Sequence, residues 1–168
     1  MNVVICPREL AHSRERFEPT HMVSLQDPGT HVASLRPTWV TPENHLISYF
    51  LDEHDPASPD APSWGAIQGV IDWLTPRCGP GSVNRFLIHC NAGMGRSPAV
   101  GFLVWAIHLG PGREVEAYQR MLWSCVRPFI APNPAVVELA DQILGREGAL
   151  CRPLSRWVES APWARRPR

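Results

Sequence analysis

His89-Cys90-Asn91-Ala92-Gly93-Met94-Gly95-Arg96-Ser97 sets a cysteine, a glycine-rich turn, an arginine and a hydroxyl in one short run. Ahead of it, Arg85-Phe86-Leu87-Ile88 is an apolar run suited to a buried strand, and behind it Pro98 to His108 is an apolar run of helical length. The nine residues are therefore expected on a strand-to-helix loop. At that place the unpaired N–H groups of the helix's first turn and the positive end of its dipole converge on an anion.

Each residue type has a chemical reason to be there. A free thiol is mostly protonated at neutral pH, so a nucleophilic Cys90 has to be held as thiolate by the helix N-terminus and by loop amides that point inward. A phosphoryl group carries its charge on oxygens that a protein can only hold and stabilise. The N–H groups of Asn91, Ala92, Gly93, Met94, Gly95 and Arg96, with the forked Arg96 guanidinium, suit that task. Lysine would supply charge without the fork. Gly93 and Gly95 admit left-handed or strained backbone and let the amides approach a ligand with no Cβ in the way. Ser97 is expected to donate its hydroxyl to the cysteine sulfur and ease loss of the thiolate. His89 is expected to bond nearby backbone and fix the cysteine carbonyl, as an orienter rather than a base.

The stretch resembles the His-Cys-x5-Arg-Ser/Thr signature of the protein tyrosine phosphatase superfamily, and the whole chain resembles a compact dual-specificity phosphatase. The resemblance implies a phosphomonoester hydrolase with a phosphocysteine intermediate, no metal or other cofactor, and phosphorylated proteins or peptides as substrates. It also implies an aspartic acid, on a loop well upstream of the cysteine, that protonates the leaving oxygen. His45-Leu46-Ile47-Ser48-Tyr49-Phe50 reads as a strand and opens into a polar, Pro-rich loop, Leu51 to Pro62. Asp52, at the strand's end and 38 positions before Cys90, fits best. Asp55 and then Asp60 remain alternatives, because loop acids commonly form turns. His54 lies in this loop and Trp64 just after it, as solvated or packing residues or as substrate neighbours.

Downstream, Arg127-Pro128-Phe129-Ile130-Ala131-Pro132-Asn133 resembles the segment by which the family enters its final helix. The resemblance implies that the Asn133 side chain steadies the phosphate loop's backbone; the residues alone read as a helix entry with Asn as cap. Arg127 fits an ion pair or a substrate contact. Two other functional readings stay open. One keeps the chemistry and changes the substrate to a glucan, nucleotide or lipid phosphate, since Cys-x-Ala-Gly-Met-Gly-Arg followed by Ser97 and Pro98 resembles the glucan phosphatases. The other is a catalytically silent phosphate-binding module, against which the intact Cys90, Arg96, Ser97 and candidate acid count. Asn91, Ala92 and Met94 stand where relatives acting on inositol phospholipids carry lysines, which disfavours a highly charged headgroup.

The 168-residue chain as a whole reads as an α/β fold: a mostly parallel central sheet flanked by helices, with the phosphate-binding loop between a strand and a helix. Val3 to Cys6 and His21 to Leu25 read as early strands. Ala66 to Leu74, ended by Pro76 to Gly81, Glu114 to Ser124 and Pro134 to Leu144 carry apolar residues at helical spacing. Residues 1–145 form the expected catalytic domain. Residues 146–168, with six Arg, several Pro and two Trp, read as a loosely attached tail. All 16 basic residues are arginine and 16 acids balance them, so nucleic-acid binding has no electrostatic footing. No apolar run is long enough to cross a membrane and the N-terminus has no secretory pattern, so a cytoplasmic location is expected. Five cysteines without paired spacing suggest neither a disulfide framework nor a zinc site. The oligomeric state is not legible.

Overall fold

The computed structural model describes residues 1–30, 40–55 and 57–160; the last eight residues of the expected tail lie outside the described residues. Four strands, β1 (Asn2–Pro7), β2 (His21–Gln26), β3 (His45–Tyr49) and β4 (Arg85–Cys90), form one sheet in the order β1-β4-β2-β3. All its pairings are parallel. Every residue of β2 is buried and β4 is buried from Phe86 onward, as expected of parallel strands covered on both faces.

The helices are α1 (Arg8–Ala11), α2 (Trp64–Cys78), α3 (Arg96–Leu109), α4 (Glu114–Ser124), α5 (Pro134–Ile143) and α6 (Cys151–Ser160). One sheet face carries the main core, where Val23, Leu25, Phe86 and Ile88 pack with residues of α2, α3, α4 and α5. Cys6, Met22 and Leu87 face the other way, onto a smaller cluster with Ala11 and Val40. Helix α3 is buried from Arg96 to Ala106, and a helix apolar on nearly every side belongs in a core. Phe102 in α3 meets Tyr118 in α4 edge to face, with ring centroids 5.4 Å apart.

Three sequence expectations shift. Helix α2 continues through Pro76 to Cys78 and stops at Gly79, because the carbonyl that Pro76 leaves unbonded belongs to solvent-exposed Asp72. Helix α3 starts at Arg96, ahead of Pro98, whose missing N–H falls in the first turn where no helical acceptor awaits it. The segment expected to be loose from residue 146 begins as part of the domain. Arg146 Nη1 lies 2.9 Å from Glu114 Oε1, with both side chains about nine-tenths buried. The Asp141 carboxylate accepts from the N–H groups of Gly148 at 2.6 Å and Leu150 at 2.8 Å. Leu150 is fully buried, so α6 leaves from an anchored turn. An arginine counted as solvated charge is here a buried partner.

Candidate active site

Parallel pairing sets Pro7 beside Cys90 and Ser24 beside His89, so the loops leaving β1, β2, β3 and β4 gather at one sheet edge. Ligands bind at this carboxyl edge in open α/β sheets. Cys90 ends β4, and the nine-residue run bends directly into α3, as the flanking apolar runs predict. Its Sγ lies 3.2 Å from Ser97 Oγ and accepts the Gly93 N–H at 3.2 Å. The sulfur thus sits among hydrogen-bonding groups at the mouth of the loop.

The two loop glycines serve different needs. Gly93 is left-handed at φ +73°, and a Cβ there would strike the Pro7 backbone nitrogen, so β1 packs directly under the turn. Gly95 has φ −107° and needs no left-handed freedom. A Cβ at Gly95 would land on the Asp52 carboxylate, so this glycine makes room for the acid.

Arg96 is held by groups that sequence reasoning did not connect to it. Its side chain is 4% exposed, and Nη1 donates to the Phe50 carbonyl at 2.7 Å and lies 2.7 Å from Asp27 Oδ1. The buried Nε has no hydrogen-bond partner among the described residues, and Asp52 Oδ2 lies 4.0 Å from it. Anchoring through Nη1 keeps the Nε–Nη2 edge aligned for an anion, the edge that takes two oxygens of a phosphate in parallel. A buried guanidinium N–H with no acceptor is costly, and a phosphoryl oxygen is an acceptor of the right charge. Asp27 is thus the functional residue the sequence reading missed. It sits in Asp27-Pro28-Gly29, which reads as a turn, and its carbonyl does accept the Thr30 N–H at 3.1 Å. The available signal was its place just after the end of an apolar strand.

Asp52 lies where the strand-end reading puts it, and Asp55 does not come with it. Asp55 Oδ1 accepts the Ala57 N–H at 2.9 Å in its own exposed turn, and Asp60 is exposed. His54 Nε2 is 3.7 Å from Asp52 Oδ1, with a half-exposed side chain. Trp64 is half-exposed at the start of α2. Arg127 pairs with Glu9 at 3.1 Å on the surface.

Asn133 is fully buried and corrects the expectation attached to it. Its side chain caps α5, with Oδ1 accepting the Val136 N–H at 3.1 Å. Nδ2 donates to Asp52 Oδ1 at 2.8 Å and to the Glu53 carbonyl at 2.9 Å, so the side chain clamps the acid loop. The phosphate loop is steadied by backbone instead: the N–H groups of Ala131 and Asn133 donate to the carbonyls of Met94 at 2.9 Å and Gly95 at 3.2 Å. One short segment therefore ties both loops to α5. Asn133→Ala is expected to cost about 1–2 kcal/mol of stability through the lost cap and the lost hydrogen bonds to the Asp52 loop. Turnover should fall more for phenol leaving groups than for activated aryl phosphates, and an equal fall for both would remove Asn133 from the acid's support.

His89 is fully buried with Nε2 2.7 Å from Ser24 Oγ, and Ser24 Oγ also meets His45 Nε2 at 2.8 Å. It is oriented through Ser24 of β2 as well as through the Cys90 backbone expected from the sequence. Burial pushes its imidazole down to about 4, opposed in part by the Cys90 backbone and reinforced by the nearby Arg8 guanidinium. The ring is neutral at physiological pH and cannot act as a charged donor to the sulfur. Burial also lowers His21. Between pH 6.5 and about 4 the unfolded chain binds a proton at position 89 that the folded chain refuses. The stability this gives is complete above pH 6.5 and is lost as pH falls toward 4, on the order of 3 kcal/mol from His89. Urea unfolding of the wild type and His89→Asn between pH 7.5 and 4.5 should give a steeper loss in the wild type. Parallel curves would show that His89 does not drive it. Burial holds the Cys78 and Cys125 thiols at about 12, so neither is a thiolate at neutral pH.

No protein-family model matches the chain, and no curated protein matches it by sequence. Solved structures do match it. Cydia pomonella PTP-2 phosphatase superposes with TM-score 0.59 at 18% identity, covering 83% of each chain. Human DUSP28 gives 0.58 at 16% identity over 95% of each chain. PTPMT1 in complex with PI(5)P gives 0.53 at 14% identity, covering 89% of this chain and 90% of that one. With a parallel sheet whose carboxyl edge carries a Cys-x5-Arg loop running into a buried helix, the chain has the compact, dual-specificity-phosphatase-like fold of the protein tyrosine phosphatase superfamily.

Proposed function

We propose that the chain is a phosphomonoester hydrolase that works through a phosphocysteine intermediate on phosphorylated tyrosine, and on phosphoserine and phosphothreonine, in proteins or peptides. The observation that carries this is the convergence at one sheet edge of Cys90 Sγ, the anchored Arg96 whose Nε has no hydrogen-bond partner among the described residues, and the Asp52 carboxylate seated on Gly95. The substrate phosphate enters the loop with its oxygens on the amides and on the Arg96 fork. Sγ attacks phosphorus in line, the P–O ester bond breaks, and protonated Asp52 gives its proton to the departing oxygen. A water then attacks the phosphocysteine while Asp52 takes up its proton. The S–P bond breaks and Sγ leaves as thiolate, accepting the Ser97 hydroxyl 3.2 Å away, with inorganic phosphate as product.

The fold alone does not choose the substrate, since its neighbours include a phosphatase crystallised with PI(5)P. The test is a panel: p-nitrophenyl phosphate for activity, then phosphotyrosine and phosphothreonine peptides, phosphoinositides and phosphoglucan, compared by kcat/KM. Peptides lead the panel on this reading. A lead by phosphoinositide or phosphoglucan moves the enzyme to a non-protein phosphate, and binding without turnover of any member makes it a silent module. No described helix is long and apolar enough to cross a membrane.

A further inference from the structure

A pocket of about 290 Å³ lies against the outer flank of the phosphate loop, lined by Met94, Phe129, Ile130 and Ala131. Met94 belongs to both, so the pocket adjoins the phosphate loop. Its floor is tied down, because the Ala131 N–H bonds the Met94 carbonyl at 2.9 Å. Phe129 is 71% exposed and Met94 45%, so two large apolar side chains stand in solvent beside the nucleophile. Isolated exposed apolar residues are ordinary, but a pair lining a pocket that adjoins a charged site is not an isolated residue.

The charges nearby narrow what can sit there. The carboxylates of Asp27 and Asp52 stand against Arg96 on the acid side of the cradle. Among the described residues, the arginines around it are engaged: Arg96 with Asp27, Arg127 with Glu9, and Arg8 with the Gln26 side-chain carbonyl. One phosphate is welcomed by the loop, and a second anion meets carboxylates. The volume is at the lower end of ligand pockets and suits a single side chain better than an acyl chain.

We propose that this pocket is a specificity subsite for an apolar side chain adjacent to the phosphorylated residue of a peptide, so that the preferred substrate is a singly phosphorylated peptide without flanking acids. This rests on the hydrolase reading above and names its substrate class. The apolar neighbour is recognised by Phe129 and Ile130, and the phosphate by the loop.

The test uses phosphotyrosine peptides with Leu, Ser or Asp on either side of the phosphotyrosine, alongside p-nitrophenyl phosphate, which is too small to span both sites. Leu on one side should raise kcat/KM over Ser on the order of tenfold, through KM, as expected for burying one apolar side chain. Asp should fall below Ser. Phe129→Ser should erase the preference for Leu and leave p-nitrophenyl phosphate hydrolysis at the wild-type rate. Binding of the same peptides to Cys90→Ser by calorimetry reads the subsite without turnover. A preference in binding with no hydrolysis by the wild type ends the hydrolase reading and keeps the subsite. Equal binding of Leu, Ser and Asp peptides overturns the subsite, as does a Phe129→Ser loss shared equally by p-nitrophenyl phosphate. Faster hydrolysis of phosphoinositide in anionic vesicles than of any peptide also overturns it.

Discussion

Cys90→Ser is expected to abolish turnover, with less than about 1% of the wild-type rate remaining, while orthovanadate or phosphate still binds. The reason is local. The serine Oγ keeps a small hydrogen-bonding group where Sγ accepts the Gly93 N–H, so the cradle survives, but its hydroxyl is not ionised at neutral pH and among the described residues Sγ hydrogen-bonds only to Ser97 and the Gly93 N–H, neither of them a base. Arg96→Ala and Arg96→Lys should lose both binding and rate, because neither restores the two-pronged edge that Phe50 and Asp27 hold in place. Single-turnover kinetics and calorimetry separate the two effects. A serine variant with substantial hydrolysis would remove Cys90 from the role of nucleophile, and a lysine variant that binds phosphate normally would show that charge without the fork is enough.

Asp52→Asn is expected to lower kcat by about 10²–10⁴ for substrates whose leaving group is a poor one, such as a tyrosine phenol, and to flatten the alkaline limb of the pH–rate profile. The loss should shrink with activated aryl phosphates, whose leaving oxygen departs as a stable anion and needs little help. That contrast is an internal control within one variant. Asn in place of Asp keeps the size and still reaches Asn133, so the loop should hold its place while the transferable proton is gone. Asp55→Asn should leave rate and profile nearly unchanged, since Asp55 serves its own turn, with Oδ1 accepting from Ala57. If the two variants exchange behaviours, Asp55 is the acid and Asp52 only positions the loop.

Asp52 illustrates how far a pattern along the chain reaches. A strand that ends in an aspartate narrows three candidates to a favourite, because strand ends in a parallel sheet point toward the ligand edge. What separates Asp52 from Asp55 physically is the contact with Gly95 and the Asn133 amide, 81 positions away. Asn133 shows the same limit from the other side. Its capping role is written in Pro132-Asn133-Pro134, since a cap acts on N–H groups a few residues on, and the Val136 bond bears that out. Which loop its Nδ2 clamps depends on how α5 docks, and the expected partner was the neighbouring loop.

The sequence by itself determined the strand, the loop and the helix around Cys90, because the thiol, the glycine turn, the guanidinium and the hydroxyl act within nine residues and their geometry follows from local backbone. It also determined the α/β alternation and most core faces, since apolar periodicity reflects which side of each element meets the sheet. Tertiary structure alone decided that Asp27 and the Phe50 carbonyl anchor Arg96, that Ser24 orients His89, and that Arg146 and Leu150 belong to the domain. Each of these is a contact between elements whose separation in sequence carries no trace of their distance in space. Strand order, β1-β4-β2-β3, is what brings them together, and no residue pattern within a single strand encodes its neighbours.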